Sequence, residues 1–217
     1  MAREIAIIDS PIDVMFLLHK AFLAMTARVE TLAAGLEVGG DLQEFAVKLR
    51  HWVKLLRYHA EAGDVYVTEP LADCKAARAN EAEHAALVQQ TGELIGLVSR
   101  CDAGGLDESV MLAESKIAAR ARRHVYSRIV ALRVAELDHF DNEEVFVLPV
   151  VRERMTDVQQ LGIARRLLID EESEDPRWIM EWLAAELSPP GRALLAAMET
   201  FIEATALDVA TKGKSHT

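Results

Sequence analysis

The sequence has 217 residues and a formal net charge of −11 at pH 7, from 24 Lys and Arg against 35 Asp and Glu. Hydrophobic residues make up 51% of the chain, which is typical of a globular protein long enough to bury a sizeable core. The acidic balance argues against a protein that tracks the phosphates of a nucleic acid, because such a protein needs a basic face.

No apolar run near the N-terminus has the length of a signal peptide, and no segment has the length of a membrane span. The two cysteines, Cys74 and Cys101, are few enough for a reducing compartment. We therefore expect a cytoplasmic protein that has neither a membrane partner nor a nucleic-acid partner.

The first predicted helix begins at Ser10-Pro11, because serine is a good N-cap and proline fits the first helical position. Apolar residues follow at helical spacing, and His19 lies on the same stripe. Gly39-Gly40 should end this helix. A second helix begins after Asp41, which can cap it, and the apolar stripe of this helix includes His59.

The third predicted helix carries His84 on its apolar stripe and closes before the Ala-Gly-Gly sequence at 103–105. The fourth is long and begins somewhere within residues 107–116. Its apolar face includes His139, and Pro149 should kink or end it.

Four antiparallel helices with modest loops predict an all-α fold in which residues 1–155 form an antiparallel four-helix bundle. Residues 156–217 are predicted to form a C-terminal helical extension, which opens with a capping-box sequence at 156–159. Two tryptophans of this extension, Trp178 and Trp182, are candidates for a partner or homodimer surface.

Each predicted helix of the bundle carries one histidine on its apolar stripe, namely His19, His59, His84 and His139. One such histidine is most often a core residue, but four together favour a metal site of the kind built in bundle cores. The midpoint between the first two falls on Gly39-Gly40, and the midpoint between the next two falls beside Pro70. Both are predicted turns, so the first three histidines should share one level, whereas the fourth fits less closely. The other three, His51, His124 and His216, are interpreted as surface or tail residues.

Two carboxylates flank the fourth histidine. Glu143 lies four residues after His139 and about 40° round the helix, so it should share the same face. Its neighbour Glu144 should point away and be solvated. Glu136, three residues before His139, lies on the inner face and is either a metal ligand or a partner of one.

The second helix offers no acid at the matching position. Four residues after His59 stands Gly63, which has no side chain to bind a metal. Asp64 follows it and should point sideways, unless the glycine lets the helix unwind there.

Motifs around the four histidines occur in a recognisable order: His19, then Tyr58-His59 running to Asp64, then Glu83-His84, then the sequence HFDNEEVFVLP at 139–149. Together they resemble the hemerythrin-like, or HHE cation-binding, family over roughly residues 10–155. The last motif is the most specific, because the family pattern there is His, three residues, Glu-Glu, apolar residues and Pro.

The resemblance implies a bundle that holds a di-iron centre, with manganese or zinc as substitute metals. The ligands it implies are His19, His59, His84, His139 and Glu143, with Asp64 as a further candidate. Two positions depart from the family: Gly63 stands where an acid is usual, and Asn80 stands where classical oxygen carriers have a histidine. Fewer ligands leave more open coordination positions, which favours reactivity over reversible carriage.

Three functions are compatible with these residues. The first is a non-haem di-iron protein that binds, senses or reacts with oxygen, peroxide or nitric oxide, and that as an enzyme would be a di-iron oxidoreductase. The second is a bundle whose metal site is lost or purely structural, acting as a protein-interaction or dimerisation module. The third, a regulator with an apolar ligand pocket, has no specific residue in its favour.

Overall fold

The computed structural model describes residues 7–38, 40–102 and 111–213. Within these ranges the chain consists of helices joined by turns, and no β-strand occurs. The predicted all-α class is therefore confirmed, whereas the antiparallel order of the first four helices stays a prediction. None of the helices in the described ranges is both long and apolar enough to cross a membrane.

The first helix, α1 (Val14–Leu36), follows a short 3-10 turn. At the start of this 3-10 turn, Pro11–Asp13, the Oδ2 atom of Asp13 accepts the backbone N–H of Ser10 at 3.1 Å. Beyond the end of α1 the N–H of Gly40 donates to the carbonyl of Gly35 at 2.9 Å. A Cβ atom on Gly40 would lie 2.8 Å from that carbonyl oxygen, so this turn requires glycine.

The second helix, α2 (Leu42–Gly63), is capped by Asp41, whose Oδ1 accepts the N–H of Gln43 at 2.8 Å. The backbone stays helical after Gly63 and passes directly into a π-helical turn, Asp64–Thr68. A π turn is wider than an α turn, so the residues after Gly63 face directions that regular helical spacing does not predict.

Two long helices follow, α3 (Lys75–Asp102) and α4 (Met111–Asn142). The predicted break at 103–105 lies outside the described residues. The chain leaves α4 through a second π-helical turn, Glu143–Val147, and enters α5 (Leu148–Arg154), which has a proline in its first turn. A π turn therefore follows both the helix that carries the second histidine and the helix that carries the fourth.

The C-terminal part contains α6 (Asp157–Leu168), α7 (Trp178–Glu186) and α8 (Pro189–Gly213). The predicted capping box is confirmed, because the N–H of Thr156 donates to Gln159 Oε1 at 2.9 Å and the N–H of Gln159 donates to Thr156 Oγ1 at 3.4 Å.

The two tryptophans of this part of the chain differ in exposure. Trp182 is 6% exposed and packs inside the protein. Trp178 is half-buried, and its indole N–H donates to Asp170 Oδ2 at 3.0 Å. A partner or homodimer surface at these residues stays a prediction.

The contacts divide the chain into two compact units, residues 1–21 with 143–217 and residues 22–142. In the first unit, α5 and α6 pack against the 3-10 turn, where Arg152 Nε donates to Asp13 Oδ1 at 3.0 Å. The second unit contains α2, α3, α4 and the last part of α1. Its largest fully buried side chains include Phe22, Phe45, Trp52, Leu94 and Phe140. The domain boundary expected at residue 155 stays a prediction.

Candidate metal centre

Three of the four predicted histidines meet inside the second unit. His59 on α2, His84 on α3 and His139 on α4 are 3%, 1% and 1% exposed. Their ring centroids are 5.6 Å apart for the first pair, 6.1 Å for His59 and His139, and 4.5 Å for His84 and His139. One ring nitrogen from each lies within 4.8 Å of the others, so this three-histidine group could hold a metal ion. We call it the three-histidine group below.

His84 has the most telling hydrogen-bond pattern of the three. Its Nδ1 lies 2.6 Å from Asp64 Oδ1, and the carboxylate, as an acceptor, fixes the proton on Nδ1. Its other nitrogen, Nε2, is buried and has no hydrogen-bond partner among the described residues. A buried polar atom of this kind is costly unless something binds it, and the free lone pair suits a metal.

Gly63 explains why His84 fits where it does. A Cβ atom on this glycine would lie 2.8 Å from His84 Cε1, so the imidazole packs directly against the backbone of α2. The position where the resemblance would place an acid is therefore a contact surface for a histidine. The π turn that follows brings Asp64 to His84, as the sequence allowed if the helix changed its winding at the glycine.

His139 also has a carboxylate partner, Glu83, to which the sequence assigned no role. Its Nδ1 lies 3.1 Å from Glu83 Oε2, and Glu83 Oε1 accepts the side-chain N–H of Asn142 at 2.9 Å. Glu83 is the chain neighbour of His84, so on α3 it points about 100° away, toward α4. The only sequence signal was its adjacency to a buried-face histidine.

His59 lies in an aromatic environment. The rings of Phe22 and Phe140 have their centroids 5.4 Å and 5.8 Å from the centroid of His59, and both phenylalanines are 1% exposed. These apolar rings exclude water from one side of the three-histidine group. Electrostatic interactions are stronger in such a dry environment than in water.

In the first unit, His19 is fully buried between two carboxylates. Its Nε2 lies 3.0 Å from Glu143 Oε2, and its Nδ1 lies 2.9 Å from Glu144 Oε1. Burial acts to lower the pKa of His19, but the hydrogen bonds and negative charges of both glutamates outweigh it, so the pKa is raised above its ordinary value. This pair supplies imidazole and carboxylate donors. That it forms one centre with the three-histidine group stays a prediction.

The expectation that Glu144 is solvated was wrong, since its side chain is 10% exposed and contacts His19. Regular helical geometry placed it on the outer face. The π turn at Glu143–Val147 widens the helix here, so that two consecutive glutamates reach the same imidazole.

Glu136 was expected to be a metal ligand or a partner of one, and its two oxygens are engaged elsewhere. Oε1 accepts the indole N–H of Trp52 at 3.1 Å, and Oε2 lies 2.5 Å from Thr26 Oγ1. All three residues are fully buried. Glu136 therefore ties α4 to α1 and α2 through hydrogen bonds in the core.

This role predicts that Glu136 matters for stability and not for metal content. Glu136→Ala leaves buried donors without an acceptor, so we expect unfolding by denaturant to show a loss of about 3 kcal/mol. Glu136→Gln keeps an acceptor for Trp52 and should retain the metal content of the wild type. Asp138→Ala, at an exposed position of the same helix, is the matched control. Loss of bound metal in Glu136→Gln would show instead that Glu136 serves the metal site.

Two other histidines are where the sequence placed them. His51 and His124 are exposed, and His216 lies outside the described residues. They provide surface positions against which substitutions of the buried histidines can be compared.

The chain matches no protein-family model, no curated protein and no solved structure. The hemerythrin-like resemblance therefore depends on the motif residues alone and stays a prediction.

Proposed function

We propose that this chain is a non-haem iron protein whose helices α1 to α4 form an antiparallel bundle. The iron centre would bind or react with a small molecule such as oxygen, peroxide or nitric oxide. The observation that carries the proposal is the three-histidine group, buried and contributed by three different helices. The buried Nε2 of His84 adds to it, because a metal would satisfy that atom.

The donor set fits iron. Neutral imidazoles suit iron, zinc, copper and nickel, and the resemblance to hemerythrin-like proteins favours iron among these. Three protein ligands leave coordination positions open, as in catalytic metal sites. Bound iron would supply a change of oxidation state and an open position for a small molecule. The chain's own residues would hold the ion, orient the imidazoles and exclude water.

The resemblance implies two irons per chain. His19 and Glu143 have the donor types for the second ion, and both are fully buried. Manganese and zinc are the alternative metals. The number of ions bound per chain is therefore a direct part of the test.

The experiment is anaerobic loading of metal-free protein with Fe²⁺, gel filtration, metal analysis and absorption spectroscopy. We expect the loaded protein to retain about two irons per chain, as a di-iron site requires. We also expect new visible absorption when oxygen, peroxide or nitric oxide is added. His139→Ala should lose both the iron and the absorption change, while His124→Ala should keep them. Protein that retains no iron and is equally stable after loading would contradict the proposal and favour an interaction module.

A further inference from the structure

We propose that Asp64 and Glu83 are positioning residues of the three-histidine group, each orienting one imidazole and together balancing the charge of the ion. This inference rests on the proposed function and extends it to two acids that act through histidines. Asp64 Oδ1 lies 2.6 Å from His84 Nδ1, and Glu83 Oε2 lies 3.1 Å from His139 Nδ1. In both pairs the acid engages Nδ1, which leaves the lone pair of the imidazole on Nε2.

The two pairs link three helices in sequence. Asp64, in the π turn directly after α2, reaches His84 on α3, and Glu83 on α3 reaches His139 on α4. Each histidine is thus oriented by a carboxylate from a different helix. The imidazoles take their metal-binding direction only when all three helices are packed, so orientation of the ligands and folding of the second unit are coupled.

Charge balance gives the acids a second role. Three neutral imidazoles contribute no charge, so a divalent ion bound to them alone would leave two uncompensated positive charges in the core. Asp64 and Glu83 supply two negative charges one imidazole away. Their side chains are 35% and 34% exposed, whereas those of the two histidines are 1% exposed. Water reaches the acids, which lowers the cost of keeping them charged before an ion binds.

This assignment differs from the role that the resemblance gives Asp64, namely that of a direct metal ligand. The Oδ1 atom of Asp64 already binds His84. A carboxylate that orients a metal-bound histidine is a recurrent arrangement, and its loss typically weakens metal affinity 10- to 100-fold. Glu83 is held in the same way and is further fixed by Asn142. The two acids should therefore behave alike when they are replaced.

The test uses the full chain with Asp64→Asn, Asp64→Ala and Glu83→Gln. Zn²⁺ affinity is measured by competition with a coloured chelator, and the proton-bearing nitrogen of each imidazole is assigned by ¹⁵N NMR in metal-free protein. We expect Asp64→Asn and Glu83→Gln each to bind Zn²⁺ about 10- to 100-fold more weakly. Asp64→Asn retains an acceptor and should keep the His84 proton on Nδ1, whereas Asp64→Ala should lose that preference.

Glu61→Gln and Glu81→Gln are the matched controls, because they remove the same charge from exposed positions of the same two helices. Unchanged Zn²⁺ affinity in Asp64→Asn and Glu83→Gln, or an equal loss in the controls, would overturn the positioning role. Wild-type protein that binds neither Zn²⁺ nor Fe²⁺ would overturn the proposed function instead. In that case the imidazole proton in Asp64→Ala still decides whether Asp64 orients His84.

Discussion

Replacing His84 with alanine is expected to abolish the stabilisation that Fe²⁺ gives to the wild-type protein. An ion that binds only the folded state stabilises it by about 2.7 kcal/mol when its free concentration is 100 times the dissociation constant. His84 contributes a ring nitrogen, Nε2, that is buried without a hydrogen-bond partner among the described residues. Thermal unfolding of each variant, with and without Fe²⁺ under anaerobic conditions, measures the effect.

His84→Gln fills more of the space that the imidazole leaves, and it should lose the Fe²⁺-dependent stabilisation as His84→Ala does. His124→Ala removes an exposed histidine from the second unit and should show the full metal-dependent shift. A shift in both His84 variants as large as that of the wild type would contradict the assignment of this residue as a ligand.

Replacing Gly63 with alanine is expected to destabilise the protein and weaken metal binding together. Alanine normally stabilises a helix relative to glycine, by up to about 1 kcal/mol. Here the added Cβ would lie 2.8 Å from His84 Cε1, so the imidazole must move. Overpacking a core typically costs about 1–3 kcal/mol, and displacement of His84 should remove a metal ligand as well.

Gly92→Ala is the matched control for that substitution. Gly92 is an exposed residue of α3, and a Cβ atom there would have no heavy atom within 4 Å. The control should therefore gain stability and bind metal normally. Denaturant unfolding and metal content of the two variants distinguish the effects. A Gly63→Ala protein that is as stable as Gly92→Ala, with normal metal content, would show that the contact with His84 has no consequence.

The positions of the buried histidines could be predicted from the sequence because burial follows helical periodicity. His19, His59, His84 and His139 lie on apolar stripes, and the structure buries all four. The cap at Asp41 and the capping box at Thr156 were equally predictable, because both depend on local hydrogen bonds between a side chain and nearby backbone groups.

The directions of the carboxylates could not be predicted in the same way. A π turn has no spacing signature, yet it decides where Asp64 and Glu144 point. Regular helical geometry predicts that Glu144 is solvated, whereas the structure places its Oε1 atom 2.9 Å from His19 Nδ1. The contact of Glu83 with His139 was equally unpredictable, because the two residues lie on different helices. Only the packing of α3 on α4 brings them together.

Gly63 shows the limit of comparing single positions with a family pattern. As a sequence position it is a missing acid, which suggests a weakened metal site. In the structure the absence of a side chain makes room for His84, and the next residue supplies the carboxylate. The physical consequence is that the His84 imidazole on α3 packs directly against the backbone of α2.

The most direct test of metal binding is a crystal structure of the iron-loaded protein with anomalous diffraction data at the iron edge. We predict an anomalous peak in the second unit, bonded to His59, His84 and His139 at about 2.0–2.2 Å, with Nε2 as the His84 ligand atom. The carboxylates of Asp64 and Glu83 should remain on the Nδ1 atoms of their histidines. An iron peak away from these three imidazoles, or no peak in protein that was shown to contain iron, would contradict the assignment of the three-histidine group as the metal site.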